Sequence, residues 1–560
     1  MIMPHSQKLS VNHRPYILFL LLLLPGFTAI AQTPRYDQTK EGFLVFHPIK
    51  TDARGHIIPW HSADKGEAYD FAIRATWAFW DTMRHDMNGL PYYMNHQVWR
   101  PRNDPRGLGG DQLQMALSSW QLLYNYTGDE RVKENMKFLA DYYLTHSLSP
   151  ADAAWPHIPF PYNTLLYSGF YDGDMVIGKG YTQPDKAGSL GIELVKMYQI
   201  TGKRNYLDAA VAIANTLAKH TRPGDADNSP LPFKVNAFTG EVGRLESNAG
   251  DGSHAGLSSY TTNWPGTLQL FQQLTRLKQG DVAAYGKAFD AIVAWMKAYP
   301  LKTNKWGPFF EDIPGWSDTQ INAVTFAQFM MDNPALFPGW KTQVPALFDW
   351  VYAKLGNDGW KKYGVRVVNE QTAYQTPGNS HTARQASAEL QYAALTGDNS
   401  RRENAIRQLD WATYMVDKDG KNNYPRDEVW LTDGYGDYVR HYLRAMAAAP
   451  ELSPHADHIL HSTTILTQAD YAPDLNKRLA LEIPQDEVAR VKLFYRTFDR
   501  SATETIRLRA KPVKIMLNDK ELKELKEVKK LDGEGWTWQP FEKGGLLKVR
   551  HETGNTVKIF

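Results

Sequence analysis

The sequence predicts a mainly α-helical protein, an (α/α)6 toroid of six helical hairpins followed by a small C-terminal antiparallel β-domain. Three observations carry this expectation. A helical phrase recurs along the chain, the connections alternate between short and long, and after about residue 463 the pattern changes to alternating apolar and charged residues.

The clearest copies of the phrase run from Asp111 to Met136 and from Asp185 to Ala210, each reaching Thr-Gly sixteen residues after its Asp. In the second copy Ala187, Leu190, Leu194, Val195 and Tyr198 form one stripe, and Ile192 and Ile200 widen it, the pattern of a helix buried on several sides. After Gly202, Leu207, Ala210, Ile213, Ala214 and Leu217 make a narrower stripe. The first helix of each pair is therefore inner and the second outer. Leu390 to Met415 repeats the plan around Thr396-Gly397. Weaker copies span Asn263 to Leu277 with Asp281 to Lys297, and Asp318 to Met331 with Val344 to Leu355. Helical stretches at Glu67 to Asp86 and Asp433 to Ala447 flank these five pairs. Closure into a ring requires the first of them to serve as outer partner of the last.

Inner-to-outer turns are short. Outer-to-inner connections are long: His146 to Pro184, His220 to Thr262, Ala298 to Ser317, Gly356 to Ser380 and Val416 to Thr432. Long connections in a compact domain are usually functional. Because all inner helices point the same way, these loops gather at the inner helices' N-terminal end, which is expected to form a cleft near Asp111, Asp185, Asn263, Asp318, His381 and Asp433. Beyond residue 463, Val488 to Phe498, Thr505 to Ala510, Pro512 to Leu517, Leu546 to His551 and Thr556 to Phe560 read as strands. Pro450 to His461 reads as a linker without Gly/Ser character, so the β-domain is expected to pack on the toroid and buttress the cleft.

Residues 1–31 read as a signal peptide: Lys8 and Arg14 precede the apolar run Tyr16 to Leu24, and Ala29-Ile30-Ala31 supplies small residues for cleavage. The expected domains are thus 1–31, 32–462 for the toroid and 463–560 for the β-domain, in an exported, periplasmic or secreted protein with no membrane insertion after cleavage. The chain has no cysteine, which removes disulfides and thiolate chemistry. Without Lys8 and Arg14 the mature chain carries 61 basic and 61 acidic residues, a balance that argues against nucleic acid as a partner. Its 17 Trp, 29 Tyr and 23 Phe are more than a core requires.

With its repeated hairpins and a cleft rich in Trp and Tyr, the span Gly66 to Ala448 resembles the six-hairpin toroid enzymes of carbohydrate metabolism: unsaturated glucuronyl hydrolases, polysaccharide lyases and glucuronyl epimerases. The resemblance implies an enzyme with a carbohydrate substrate. No motif singles out one family among them.

Sugars present apolar faces ringed by hydroxyls, so flat aromatics beside carboxylates, amides and arginine suit them. Candidate platforms and substrate contacts are Trp155 and His157 in "WPHIPFPYN", Tyr181, Trp264, Trp306 in "KWGPFFEDIPGW", His381, Arg384 and Tyr435. The bland alternative is that large loops use aromatics to pack themselves. Candidate catalytic carboxylates are Asp111, Asp185, Glu311, Asp312, Asp433 and Asp437; Asp111, Asp185 and Asp433 stand where helix caps also stand. Glycoside hydrolysis needs two such groups, one protonated, and hydrolysis is the expected reaction. A second constellation, Glu370, Tyr374, His381 and Arg384 with Tyr435 and Tyr438, suits a uronate lyase or epimerase that removes a proton. A non-catalytic glycan-binding protein is the third reading. No cofactor or metal is expected: His455, His458 and His461 at spacing three, and "DKDG" from Asp417, are read as solvated residues and a turn.

Overall fold

Among the described residues, twelve long helices alternate between inner and outer positions around a closed ring, and the reason is visible in which faces they bury. The computed structural model describes residues 37–38, 44–45, 47–95, 112–165, 168–173, 177–245, 256–310, 315–422, 434–472, 488–526 and 531–560. The segment read as a signal peptide lies outside the described residues. We label the helices α1 (Lys65–Asp81), α2 (Gln112–Thr127), α3 (Glu130–His146), α4 (Pro184–Thr201), α5 (Arg204–His220) and α6 (Pro265–Leu277). The second half comprises α7 (Val282–Ala298), α8 (Gln320–Asp332), α9 (Trp340–Leu355), α10 (Asn379–Thr396), α11 (Arg402–Ala412) and α12 (Tyr435–Ala448).

The even-numbered helices are inner. Each touches the next, α2 to α4, α6, α8, α10 and α12, and α12 returns to α2, so the ring closes. The odd-numbered helices back them, and α1 packs on α12, the pairing that closure requires. Inner helices bury almost their whole circumference, including polar residues: α10 buries Ser380, Thr382, Arg384, Gln385, Ser387 and Glu389. Close approach between neighbours depends on absent side chains. A Cβ on Gly188 of α4 would meet the Thr267 Cα of α6 at 2.8 Å, and one on Gly266 would meet the Ser189 Cα at 2.8 Å. The Thr-Gly signals end helices as their chemistry demands: Gly202 and Gly397 are left-handed, with φ of +73° and +80°.

Two helix boundaries differ from expectation by four residues or more. The first helix stops at Asp81 and not Asp86, capped by Thr82. Helix α9 begins at Trp340, before the expected Val344, and carries Pro345 inside it. Proline donates no bond to the carbonyl four residues back. That carbonyl, Lys341 O, instead accepts a hydrogen bond of 2.7 Å from the Tyr392 hydroxyl of α10, so the helix tolerates its proline.

The C-terminal part contains nine strands: β1 (His458–Ser462), β2 (Leu466–Tyr471), β3 (Leu493–Thr497), β4 (Ala502–Leu508), β5 (Ile515–Leu517), β6 (Lys520–Glu521), β7 (Gly535–Pro540), β8 (Gly545–His551) and β9 (Thr556–Ile559). They form two antiparallel sheets in the orders β7-β8-β4-β1 and β6-β5-β9-β3-β2. All five expected strands are present. Strand β1 begins within the segment read as linker, where the histidines obscured the alternation. In strand β1 His458 pairs with Arg507 and His461 with Thr505 of β4, with a register shift between them.

The sheets pack on the toroid, but not where expected. They meet the C-terminal ends of the inner helices, opposite the cleft. His458 stacks on Tyr126 with ring centroids 3.8 Å apart, and its Nδ1 donates to Tyr126 O at 2.8 Å. Tyr471 donates to Asn125 O, and Ala469 N donates to the Tyr124 hydroxyl at 3.2 Å. Arg276, in the last turn of α6, pairs with Asp499 at 2.8 Å. The β-domain therefore closes the base of the ring and does not buttress the cleft. Among the described residues no helix is long and apolar enough to cross a membrane.

Candidate active site

The outer-to-inner loops build the open face. Among the described residues, six of the eight exposed large hydrophobic side chains, Met87, Leu165, Phe170, Phe238, Leu257 and Trp316, lie in them. Beneath these loops the first turns of the inner helices bring polar side chains toward the axis.

On one side stands α4. Pro184 occupies the first turn, as its fixed φ suits, and Asp185 and Lys186 follow with 0% and 1% exposure. The Lys186 ammonium donates to Asp185 Oδ2 at 3.1 Å and to Phe309 O at 2.8 Å. Asn263, just before α6, donates to the same Asp185 Oδ2 at 2.8 Å. Asp185 Oδ1 is buried and bonds no described residue.

On the opposite side stands α10. His381, in its first turn, is 4% exposed, and neither ring nitrogen bonds any described residue. Burial and then the Arg384 charge push its pKa down to about 3, against the opposing pull of Asp437, so the ring is neutral near pH 7. Arg384, one turn further, donates to Gln320 Oε1 of α8 at 3.2 Å and to the Asp437 carboxylate of α12. Asp437 also receives Arg440 and the His441 ring. Burial opposes its ionisation, but Arg384, Arg440 and His441 outweigh burial and hold the carboxyl well below the usual carboxylate range.

Asp437, a candidate catalytic carboxylate, is a buried group held toward its ionised form by Arg384, Arg440 and His441, a setting that suits a clamp rather than a protonated acid. Asp185 stands fully buried in the first turn of α4, bonded to Lys186 and Asn263. Asp111, Glu311, Asp312 and Asp433 lie outside the described residues. Four of the residues proposed as platforms are packing elements. Trp155 stacks on His220 with centroids 4.0 Å apart, Trp264 donates its indole N–H to Thr261 O, Trp306 is fully buried, and Tyr435 stacks between helices on Phe79. The loops are long enough to need cores of their own, and these rings supply them. His157 occupies a left-handed turn at φ +59°, and Tyr181 is half-buried in a two-residue ladder with Asn236. Neither is joined to the Asp185 or His381 groups by a described contact.

Sequence reasoning missed Lys186, Gln320, Phe309 and Phe310. Lys186 was legible: a lysine beside Asp185 at the start of a helix buried all round has nowhere to go but the cleft.

No protein-family description matches the chain, and no curated protein matches it. Solved structures do. A sugar epimerase from a ruminal bacterium superposes with a TM-score of 0.50 at 14% identity, covering 68% of this chain and 98% of that one. A cellobiose 2-epimerase from Spirochaeta thermophila gives 0.51 at 12%, covering 69% and 96%. At such identity the likeness establishes the fold, the six-hairpin toroid, and leaves the chemistry to the residues.

Proposed function

We propose that this chain is an exported carbohydrate-active enzyme that removes a proton from a sugar carbon next to a carbonyl or carboxylate, as a uronate lyase or an epimerase does. The observation that carries the reading is His381: a neutral imidazole at the cleft with both nitrogens uncommitted among the described residues, one turn from the Arg384 guanidinium. A neutral imidazole takes a proton; a guanidinium fixed by Asp437 and Gln320 stabilises the negative charge left on the substrate oxygen. Admission of an anionic substrate or of solvent raises the basicity of His381, because burial is what lowers it most. Elimination then follows if a leaving group sits on the next carbon, and epimerisation if the proton returns to the other face. The sugar epimerases that share the fold place carbohydrate chemistry on this scaffold, while the choice of reaction rests on His381.

Hydrolysis is the second reading, favoured by Asp185, whose Oδ1 is buried and bonds no described residue. Incubation with uronate polysaccharides and reducing disaccharides distinguishes them: proton abstraction gives an unsaturated or epimerised product that His381→Ala abolishes. Hydrolysis gives new reducing ends alone, lost in Asp185→Asn. Binding without turnover would instead support a non-catalytic glycan-binding role. Export is proposed on the charged, apolar and small-residue order of residues 1–31.

A further inference from the structure

Phe309 and Phe310 lie between the two groups just described. Phe309 (3% exposed) joins Met115 of α2 and Ile321 of α8 in an apolar cluster separate from the main core, with Phe310 packed against it. Helices α2 and α8 are three places apart in a ring of six, so this cluster spans the mouth. The Lys186 ammonium lies 3.5 Å from the Phe309 ring centroid on the α4 side. The Phe310 ring lies 6.1 Å from that of His381 on the α10 side.

The backbone leading to this pair is firmly held up to Pro308. Trp306 N and Gly307 N donate to Asp318 Oδ1 at 2.7 and 2.8 Å. Asn322 Nδ2 donates to the carbonyls of Trp306, Gly307 and Pro308, each at 3.1 Å. Thr262 and Thr261 hold Trp306 O and Pro308 O at 2.6 and 2.9 Å. Past Pro308, the one hydrogen bond to the backbone of Phe309 or Phe310 from a described residue is that of Lys186 to Phe309 O. A rigid stem thus carries a lightly tethered apolar tip.

What the tip covers is polar. Asp185 Oδ1 and both His381 nitrogens are buried and bond no described residue, an arrangement that burial penalises, and the two aromatic rings lie beside these groups, Phe309 against Lys186 and Phe310 facing the His381 ring. We infer that Phe309 and Phe310 form a displaceable plug occupying the position of a substrate ring, and that its withdrawal from the Lys186 tether exposes His381 and Asp185. The inference rests on the proposed function only for the identity of the incoming ring, a pyranose whose hydroxyls satisfy the polar groups the phenylalanines leave bare. In place, the plug contributes to the burial of His381, which is 4% exposed.

Diethyl pyrocarbonate, which acylates neutral imidazoles, tests the plug without any substrate. The rate of modification of each histidine in the full chain at pH 7 is followed by peptide mass spectrometry, with exposed His85 and His455 as internal references. In the unaltered protein His381 is expected to react at least tenfold more slowly than these. Phe310→Ala exposes the ring directly. Phe309→Ala does not touch His381 but loosens the tip, and is expected to raise the His381 rate about tenfold with an unchanged circular dichroism spectrum. A His381 rate that matches the references in the unaltered protein, or one that Phe309→Ala leaves unchanged while Phe310→Ala raises it, overturns the inference. If Phe309→Ala fails to fold, Phe309→Leu, which keeps the volume and removes the ring facing Lys186, is read in the same way.

Discussion

At the scale of single residues the site divides into groups that are committed and groups that are not. Asp437 is committed to Arg384, Arg440 and His441. Asp437→Asn leaves the buried Arg384 and the half-buried Arg440 guanidinium groups without their counter-charge, and is expected to cost about 3–5 kcal/mol in urea unfolding; an unchanged midpoint would refute the clamp. His381 is uncommitted, so His381→Ala is expected to lower turnover by about two to four orders of magnitude. Its unfolding midpoint should fall by much less than that of Asp437→Asn, since no described hydrogen bond is lost. The sequence made Asp185, His381, Arg384 and Asp437 legible as residues at inner-helix starts, because periodicity places them there. It did not reveal which carboxylate is neutralised by arginine. That pairing joins α10 to α12 across 53 positions of chain, and no local pattern encodes it.

Among the elements, the Thr-Gly turns were read correctly because a left-handed helix end has a local chemical signature. Two of these glycines separate local from tertiary demands. Gly202 (φ +73°) has open space where a Cβ would go, so Gly202→Ala is expected to cost about 1 kcal/mol of backbone strain alone. Gly128 (φ +67°) would place its Cβ 2.6 Å from Ala469 O and 2.9 Å from the Tyr471 ring. Gly128→Ala is therefore expected to cost clearly more and to loosen the sheets from the toroid, measured as faster proteolytic release of the C-terminal strands. Equal costs for the two would contradict the docking described. The aromatic loops were harder to read. Trp155, Trp264 and Trp306 have the composition of a sugar site, yet composition cannot tell a ring that faces a ligand from one that packs the loop carrying it. The start of α9 was not legible either: the helix continues past Pro345 because Lys341 O is satisfied by Tyr392, 47 residues from the proline.

For the molecule as a whole, the long loops gather at the inner helices' N-terminal end and two β-sheets pack on the opposite end. One contact in this packing is His458, buried between the halves, where burial lowers its pKa to about 4 from an ordinary 6.5. The folded state keeps this ring neutral while the unfolded chain protonates it. Stability is thus complete above about pH 6.5 and falls as the pH drops toward 4, by about 3 kcal/mol for this group. His458→Gln, which keeps a donor for Tyr126 O but cannot titrate, is expected to flatten the decline in unfolding free energy between pH 6.5 and 4.5. An equally steep decline would place the acid sensitivity elsewhere. Nuclear magnetic resonance of sugars turned over in deuterated water reports on proton abstraction by His381 without intermediary. Uronate polysaccharides and reducing disaccharides are supplied as substrates. The account predicts either an unsaturated product or solvent deuterium on the carbon next to the carbonyl, both absent with His381→Ala; new reducing ends with neither signature, undiminished by that substitution, would contradict it.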